Sequence, residues 1–170
     1  MGDPQRFRIF GDFIEQTWPD RSLSIADVAG GHGRLRADLF RRGYENVVTF
    51  DKRRYRWTTR GHYRYGLFDD SVEGFDLIVG MHPDEATDVI CDYALRRALP
   101  FAVVPCCIKP TAWSYDRPVR LTPRSIDSRG DALLDWWDHL VDGCRRHDPR
   151  VERSILPMKG ANCVIWRADG

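Results

Sequence analysis

One segment governs what this chain can fold into: Asp27-Val28-Ala29-Gly30-Gly31-His32-Gly33-Arg34-Leu35. The apolar run Ser24 to Ala29 enters it as a buried strand, and Arg34 to Arg42 leaves it as a helix carrying Leu35 and Leu39, capped by Gly43. Glycines at a sharp strand-to-helix turn let backbone N–H groups approach a ligand closely. Asp51 stands 18 residues after Gly33 and ends a second strand, Asn46 to Phe50. A carboxylate in that place can accept hydrogen bonds from both hydroxyls of a ribose.

The remaining sequence continues the alternation. Phe7, Phe10, Phe13, Ile14 and Trp18 mark an amphipathic helix over Arg6 to Trp18, stopped by Pro19. Further strands are expected at Phe75 to Met81 and Phe101 to Val104, with a helix over Glu85 to Leu99 between them. A last helix, Asp131 to Cys144, points Leu133, Leu134, Trp137, Leu140 and Val141 inward, leaving Trp136 half-exposed. Arg150 to Leu156 and Cys163 to Arg167 form a closing hairpin around Pro157-Met158-Lys159-Gly160.

The expected fold is therefore α/β: a mostly parallel sheet with helices on both faces and an antiparallel C-terminal hairpin. Only Asp69 to Gly74 separate a third strand, His62 to Phe68, from the strand at Phe75. A parallel crossover normally takes a dozen residues or more. Either the third strand is not parallel, or the crossover has lost its helix; we favour the lost helix. The 170 residues make one domain, 1–170, whose first 20 residues pack a helix on the core.

Composition narrows the function classes. Twenty-six basic against 25 acidic residues exclude a uniformly basic nucleic-acid coat. No apolar run reaches membrane-spanning length, and the opening Met1 to Arg6 lacks the apolar core of a secretory signal. The cysteines number five, in neither C-x-x-C nor zinc-finger spacing, which points to reduced thiols and a cytoplasmic protein.

Asp27, Gly31 and Gly33, with Asp51, resemble the first motif and the ribose-binding acid of the class I S-adenosylmethionine-dependent methyltransferases, Ala29 replacing the first glycine. A nicotinamide-type loop would place its third glycine where Arg36 stands. The resemblance implies a Rossmann-like methyltransferase sheet and S-adenosylmethionine as cofactor. It implies cofactor contacts from Asp27, Ala29, Gly30, Gly31, His32, Gly33, Asp51 and Lys52, and from Phe68, Asp69 and Met81.

His82-Pro83-Asp84 and Val104-Pro105-Cys106-Cys107 follow two strands that flank the first in such a sheet. These segments are similar to Gly-x-His and Val-Pro-Cys-Cys motifs in a methyltransferase group that includes relatives of the tRNA uridine ribose methyltransferases. Leu156-Pro157 and Gly160-Ala161-Asn162 also fit that group. His82 suits a general base, and Asp84 orients it or binds substrate. Cys106 packs, lines the pocket, acts as a nucleophile or joins His82 and Cys107 around zinc; the residues leave these open.

A basic and aromatic run supplies the third signal: Lys52, Arg53, Arg54, Tyr55, Arg56, Trp57, Arg60, His62, Tyr63, Arg64 and Tyr65. Arginines interleaved with aromatics grip phosphates and stack on unpaired bases; they equally describe a solvated face. Arg117, Arg120, Arg124 and Arg129 in a later loop add to it. The sequence thus points to methyl transfer onto RNA, tRNA-like, or a small metabolite, with catalytic candidates His82, Asp84 and Cys106. A recognition subunit or a homodimer is an expected partner. The competing class is a non-catalytic cofactor-binding or interaction module of the same fold.

Overall fold

Continuous apolar strands need cover on both faces, and the architecture follows from that requirement. The computed structural model describes residues 3–55, 61–106 and 129–169, with side chains of the last stretch from 133 onward. Its elements are α1 (Arg6–Thr17), β1 (Ile25–Val28), α2 (Arg34–Arg41), β2 (Val47–Asp51), β3 (Tyr63–Tyr65) and β4 (Leu77–Met81). A 3-10 turn (Asp84–Ala86) then leads into α3 (Thr87–Arg96), β5 (Phe101–Val104), α4 (Arg129–His147), β6 (Glu152–Ile155) and β7 (Cys163–Arg167).

The seven-stranded sheet has the order β3-β2-β1-β4-β5-β7-β6. The first five strands are parallel, whereas β7 runs antiparallel between β5 and β6. Strand order reverses between β1 and β4, which opens a crevice beyond their carboxyl ends. The closing hairpin is as expected, with its second strand innermost. Composition explains this: Cys163, Val164 and Ile165 are buried, while Glu152 and Arg153 suit the exposed margin. Among the described residues no helix is long and apolar enough to cross a membrane.

Helices α1 and α2 cover one face, burying Phe10, Ile14, Leu35 and Leu39 against Ile25, Val47, Leu77 and Val79. The other face is covered by α3 and α4 through Ile90, Tyr93, Trp136, Trp137 and Leu140, packed on Ala26, Val28, Ile78 and Val103. Trp136 and Trp137 are both buried, and Leu134, expected to face inward, is exposed.

Parallel pairing of β2 with β3 settles the crossover: residues 66–76 return from β3 to β4 without a helix. Phe68, Val72 and Phe75 fill the place a helix would cover. Phe50 meets Phe68 and Phe75 edge-on at 5.1 and 5.5 Å between ring centroids. Tyr93 approaches Phe68 at 4.7 Å and donates its hydroxyl to the Val72 carbonyl at 2.5 Å. Asp70 pairs with Arg96 and Arg97 at the end of α3, which fixes the outer side of the segment. Phe75→Ala should therefore cost about 3–5 kcal/mol of stability, read from urea unfolding; a loss near zero would mean that the plug carries no packing energy.

Candidate functional site

The turn after β1 is left-handed at Ala29 (φ 54°), Gly31 (φ 58°) and Gly33 (φ 71°). Ala29 tolerates this conformation at a cost of about 1–2 kcal/mol, which the glycine it replaces would avoid. Gly30 is required for space: a Cβ there would stand 2.1 Å from Asp27 Oδ2. The Gly31 N–H donates to Asp51 Oδ2 at 2.8 Å, and the Arg53 N–H donates to Asp51 Oδ1 at 2.8 Å. Each oxygen of a carboxylate has two acceptor positions, so Asp51 retains capacity toward a ligand hydroxyl.

Asp27 lies fully buried beneath the turn. Thr49 Oγ1 donates to its Oδ2 at 2.9 Å, while Oδ1 has no hydrogen-bond partner. Loss of solvation pushes the pKa of Asp27 up to about 6, against the pull of the Thr49 hydroxyl and the Arg36 charge. Arg36, itself buried, donates to the His62 carbonyl and stands where a dinucleotide loop has its third glycine. A Cβ on Gly33 would meet Arg36 Nη2 at 2.8 Å.

Beside this turn opens a cleft of about 120 Å³. Its lining comes from the ends of β1 and β2 (Val28, Ala29, Phe50, Asp51, Lys52 and Arg53), from the segment after β3 (Gly66, Leu67 and Phe68) and from the segment after β4 into α3 (Pro83, Asp84, Glu85, Ala86 and Val89). Leu67 and Val89 leave 73% and 39% of their surface exposed, so the cleft offers uncovered apolar area. Lys52 Nζ meets Glu85 Oε2 at 2.5 Å and bridges the two sides.

Ala29, Asp51, Lys52, Phe68 and Asp84 thus come together on the cleft, with Asp27 directly below and Gly30, Gly31 and Gly33 shaping the turn. His32 is exposed, its ring 4.1 Å from that of Tyr55. Met81 is buried in the core on the α1–α2 face. Asp69 lies in an exposed turn, where its Oδ1 accepts from the Ser71 N–H and hydroxyl. Leu67, Pro83, Glu85, Ala86 and Val89 are lining residues that sequence reasoning missed. Val89 has the spacing of an apolar helix face, and the signal for Leu67 is an apolar residue directly after a glycine at a strand end.

His82 follows β4 in a left-handed conformation (φ 54°), and its N–H donates to the Val104 carbonyl at 3.0 Å. Its Nε2 lies 3.0 Å from the Ala161 carbonyl, brought there by the β6–β7 connection. A carbonyl only accepts, so Nε2 carries the hydrogen and Nδ1 holds the lone pair. Burial lowers the His82 pKa, the Ala161 bond opposes that, and the charge of Arg6 adds to it. The connection is held by Leu156 N–H to Asn162 O at 2.8 Å and by Lys159 N–H to Asp3 Oδ2 at 2.9 Å.

Cys106, partly buried, follows β5, whose Val104 is in register with Met81 of β4. Cys107, and with it the zinc trio, lies outside the described residues, as do Arg56, Trp57, Arg60, Arg117, Arg120 and Arg124. Among the described residues no three histidine, cysteine or acidic side chains are grouped to hold a metal. Of the basic run, Arg53, Arg54 and Arg64 are exposed, and Tyr55 and Tyr63 stand edge to face at 6.4 Å. Tyr63 donates its hydroxyl to the Arg53 carbonyl at 2.6 Å.

No protein-family model matches the chain, and no curated protein matches its sequence. Its fold is similar to that of CalO1, a methyltransferase in calicheamicin biosynthesis whose structure is an SAH-bound form, with a TM-score of 0.51 and 13% identity. That match covers 96% of this chain and 53% of CalO1, so the chain spans about half the length of that relative. A SAM-dependent methyltransferase from Aquifex aeolicus matches with a TM-score of 0.50 and 9% identity, over 96% of this chain and 92% of the other. At these identities the likeness is one of fold: the chain has the sheet of these methyltransferases.

Nitrogen-15 NMR of labelled protein reads the histidine assignment directly. The His82 ring should titrate below 6.5, its neutral form protonated at Nε2. An Nδ1–H tautomer, or a pKa at or above 6.5, would contradict it.

Proposed function

We propose that the chain binds S-adenosylmethionine in the cleft between Asp51 and Val89 and transfers its methyl group to an acceptor near His82. The observation that carries this reading is Asp51, which ends β2 on the cleft and is locked to the glycine turn through Gly31. The residues fit the cofactor at several points. Asp51 has acceptor capacity for a ribose, Leu67 and Val89 offer apolar surface for a purine, and the orphaned Asp27 Oδ1 lies under a turn too tight for any Cβ at Gly30. When bound, the cofactor supplies an electrophilic methyl on a sulfonium. Asp27 and the Gly30–Gly33 backbone would hold its amino-acid portion, with His32 at the outer edge of the turn.

What the chain itself contributes is position and proton handling. His82 presents a neutral imidazole whose Nδ1 lone pair can take the acceptor's proton, and Cys106 lines the same end of the sheet. RNA and a small metabolite are the acceptor classes. Exposed Arg53 and Arg54 beside Tyr55 and Tyr63 favour RNA, since such groups hold phosphates and stack on bases. A non-catalytic module is the second reading, favoured by the Lys52–Glu85 bridge across the cleft.

Titration calorimetry with S-adenosylmethionine and S-adenosylhomocysteine tests the proposal, and absence of binding by the folded protein would overturn it. Asp51→Ala should weaken binding by about 1–3 kcal/mol through loss of charge-assisted hydrogen bonds. Unchanged affinity would place the ribose elsewhere. His82→Ala should slow methyl transfer to RNA or metabolite pools while leaving cofactor affinity unchanged. Binding without transfer by the unaltered protein favours the second reading.

A further inference from the structure

A second group of charged side chains lies at the far end of β5 from the crevice. The register sets Arg167 of β7 beside Phe101, the first residue of β5, whereas the crevice opens beyond Val104 at the strand's other end. Side chains alternate along a strand, so Arg167 shares its face with Cys163 and Ile165, the face that α4 covers. There it lines a cavity of about 310 Å³ with Arg145 from the last turn of α4, with Arg150, Val151 and Glu152 at the start of β6, and with Asp169.

Arg167 is 2% exposed and is held at one corner, where its Nη1 donates to Asp148 Oδ2 at 2.6 Å. Its Nε and Nη2 have no hydrogen-bond partner among the described residues. These two nitrogens form one edge of the guanidinium, whose parallel N–H bonds match two oxygens of one anion. The neighbouring Arg150 shows that arrangement completed: its Nε and Nη2 donate to Asp148 Oδ1 and Oδ2 at 3.0 and 2.8 Å. Asp148 is thus engaged by both arginines, and it stands outside the cavity lining. Buried donors left unpaired are costly, and a guanidinium cannot shed its proton to escape the cost.

The surrounding charges set the class of ligand. Arg145 is exposed and donates its Nε to the Val151 carbonyl at 2.9 Å, while Glu152 and Asp169 are exposed acids. Arg145, Arg150 and Arg167 are therefore balanced by Asp148, Glu152 and Asp169. A singly charged anion completes the Arg167 edge, whereas a second negative charge would only meet Glu152 and Asp169. We propose that this cavity binds a singly charged anion with two free oxygens, a carboxylate or a phosphodiester, on the Nε–Nη2 edge of Arg167. Both nitrogens are closed to solvent, so the ligand enters by displacing the exposed Glu152 or Asp169 side chain. The site is separate from the cofactor cleft and does not depend on what that cleft holds.

Nitrogen-15 NMR of the whole chain reads the Arg167 Nε–H signal, assigned through bonds from its own side chain. Sodium acetate and sodium dimethyl phosphate are titrated separately, with sodium chloride at matched ionic strength as the reference. At least one of the two oxyanions should move the signal saturably, with half-saturation at about 1–10 mM, and the tighter binder names the source. Arg167→Lys keeps a charge beside Asp148 and removes the edge, so affinity should fall by about tenfold or more. If that variant does not fold, the unaltered protein decides alone, because its signal is read without substitution. Equal movement in chloride, no saturation with either oxyanion, or full affinity in a folded Arg167→Lys protein would overturn the proposal.

Discussion

The structure of the crevice depends on one carboxylate tying two strand ends together. Asp51 accepts from Gly31 on one oxygen and from Arg53 on the other, so the turn after β1 and the segment after β2 share an anchor. Around it the packing leaves no slack. Asp27 occupies the volume that a side chain at Gly30 would need, Thr49 holds Asp27, and Arg36 fills the space above Gly33. Removing any one of these groups exposes a buried charge or opens a void, which is why the turn tolerates left-handed backbone at Ala29.

Two titratable groups flank this crevice with opposite proton preferences. Asp27 holds its proton more tightly when folded, so the cost of ionising it builds as pH rises from the ordinary carboxylate range toward about 6. His82 prefers to be neutral when folded, so its cost builds as pH falls through 6.5. The opposed slopes partly cancel in global stability, and they leave a neutral His82 imidazole and an ionised Asp27 together only toward neutral pH.

Much of this was legible in the chain. The glycine turn and Asp51 announced the turn that borders the cleft, apolar runs gave the central strands, and the shortage of residues between Phe68 and Phe75 gave the missing helix. What stayed hidden is set by partners remote in sequence. His82 meets the Ala161 carbonyl only because the final hairpin turns its innermost strand against β5. Val89 has the spacing of a core residue, yet it lines the cleft. Asp69 has the right type and strand-end position for a ligand contact, but Ser71 two residues on captures it locally.

The plug that replaces the crossover helix has a double attachment. Phe68 touches Phe50 and Tyr93 inside the core and also lines the cleft. That ring therefore joins the cleft to the margin of the sheet, where β3 pairs with β2 among the described strands. By dispensing with a helix, the chain lets one ring, Phe68, serve both the core and the cleft.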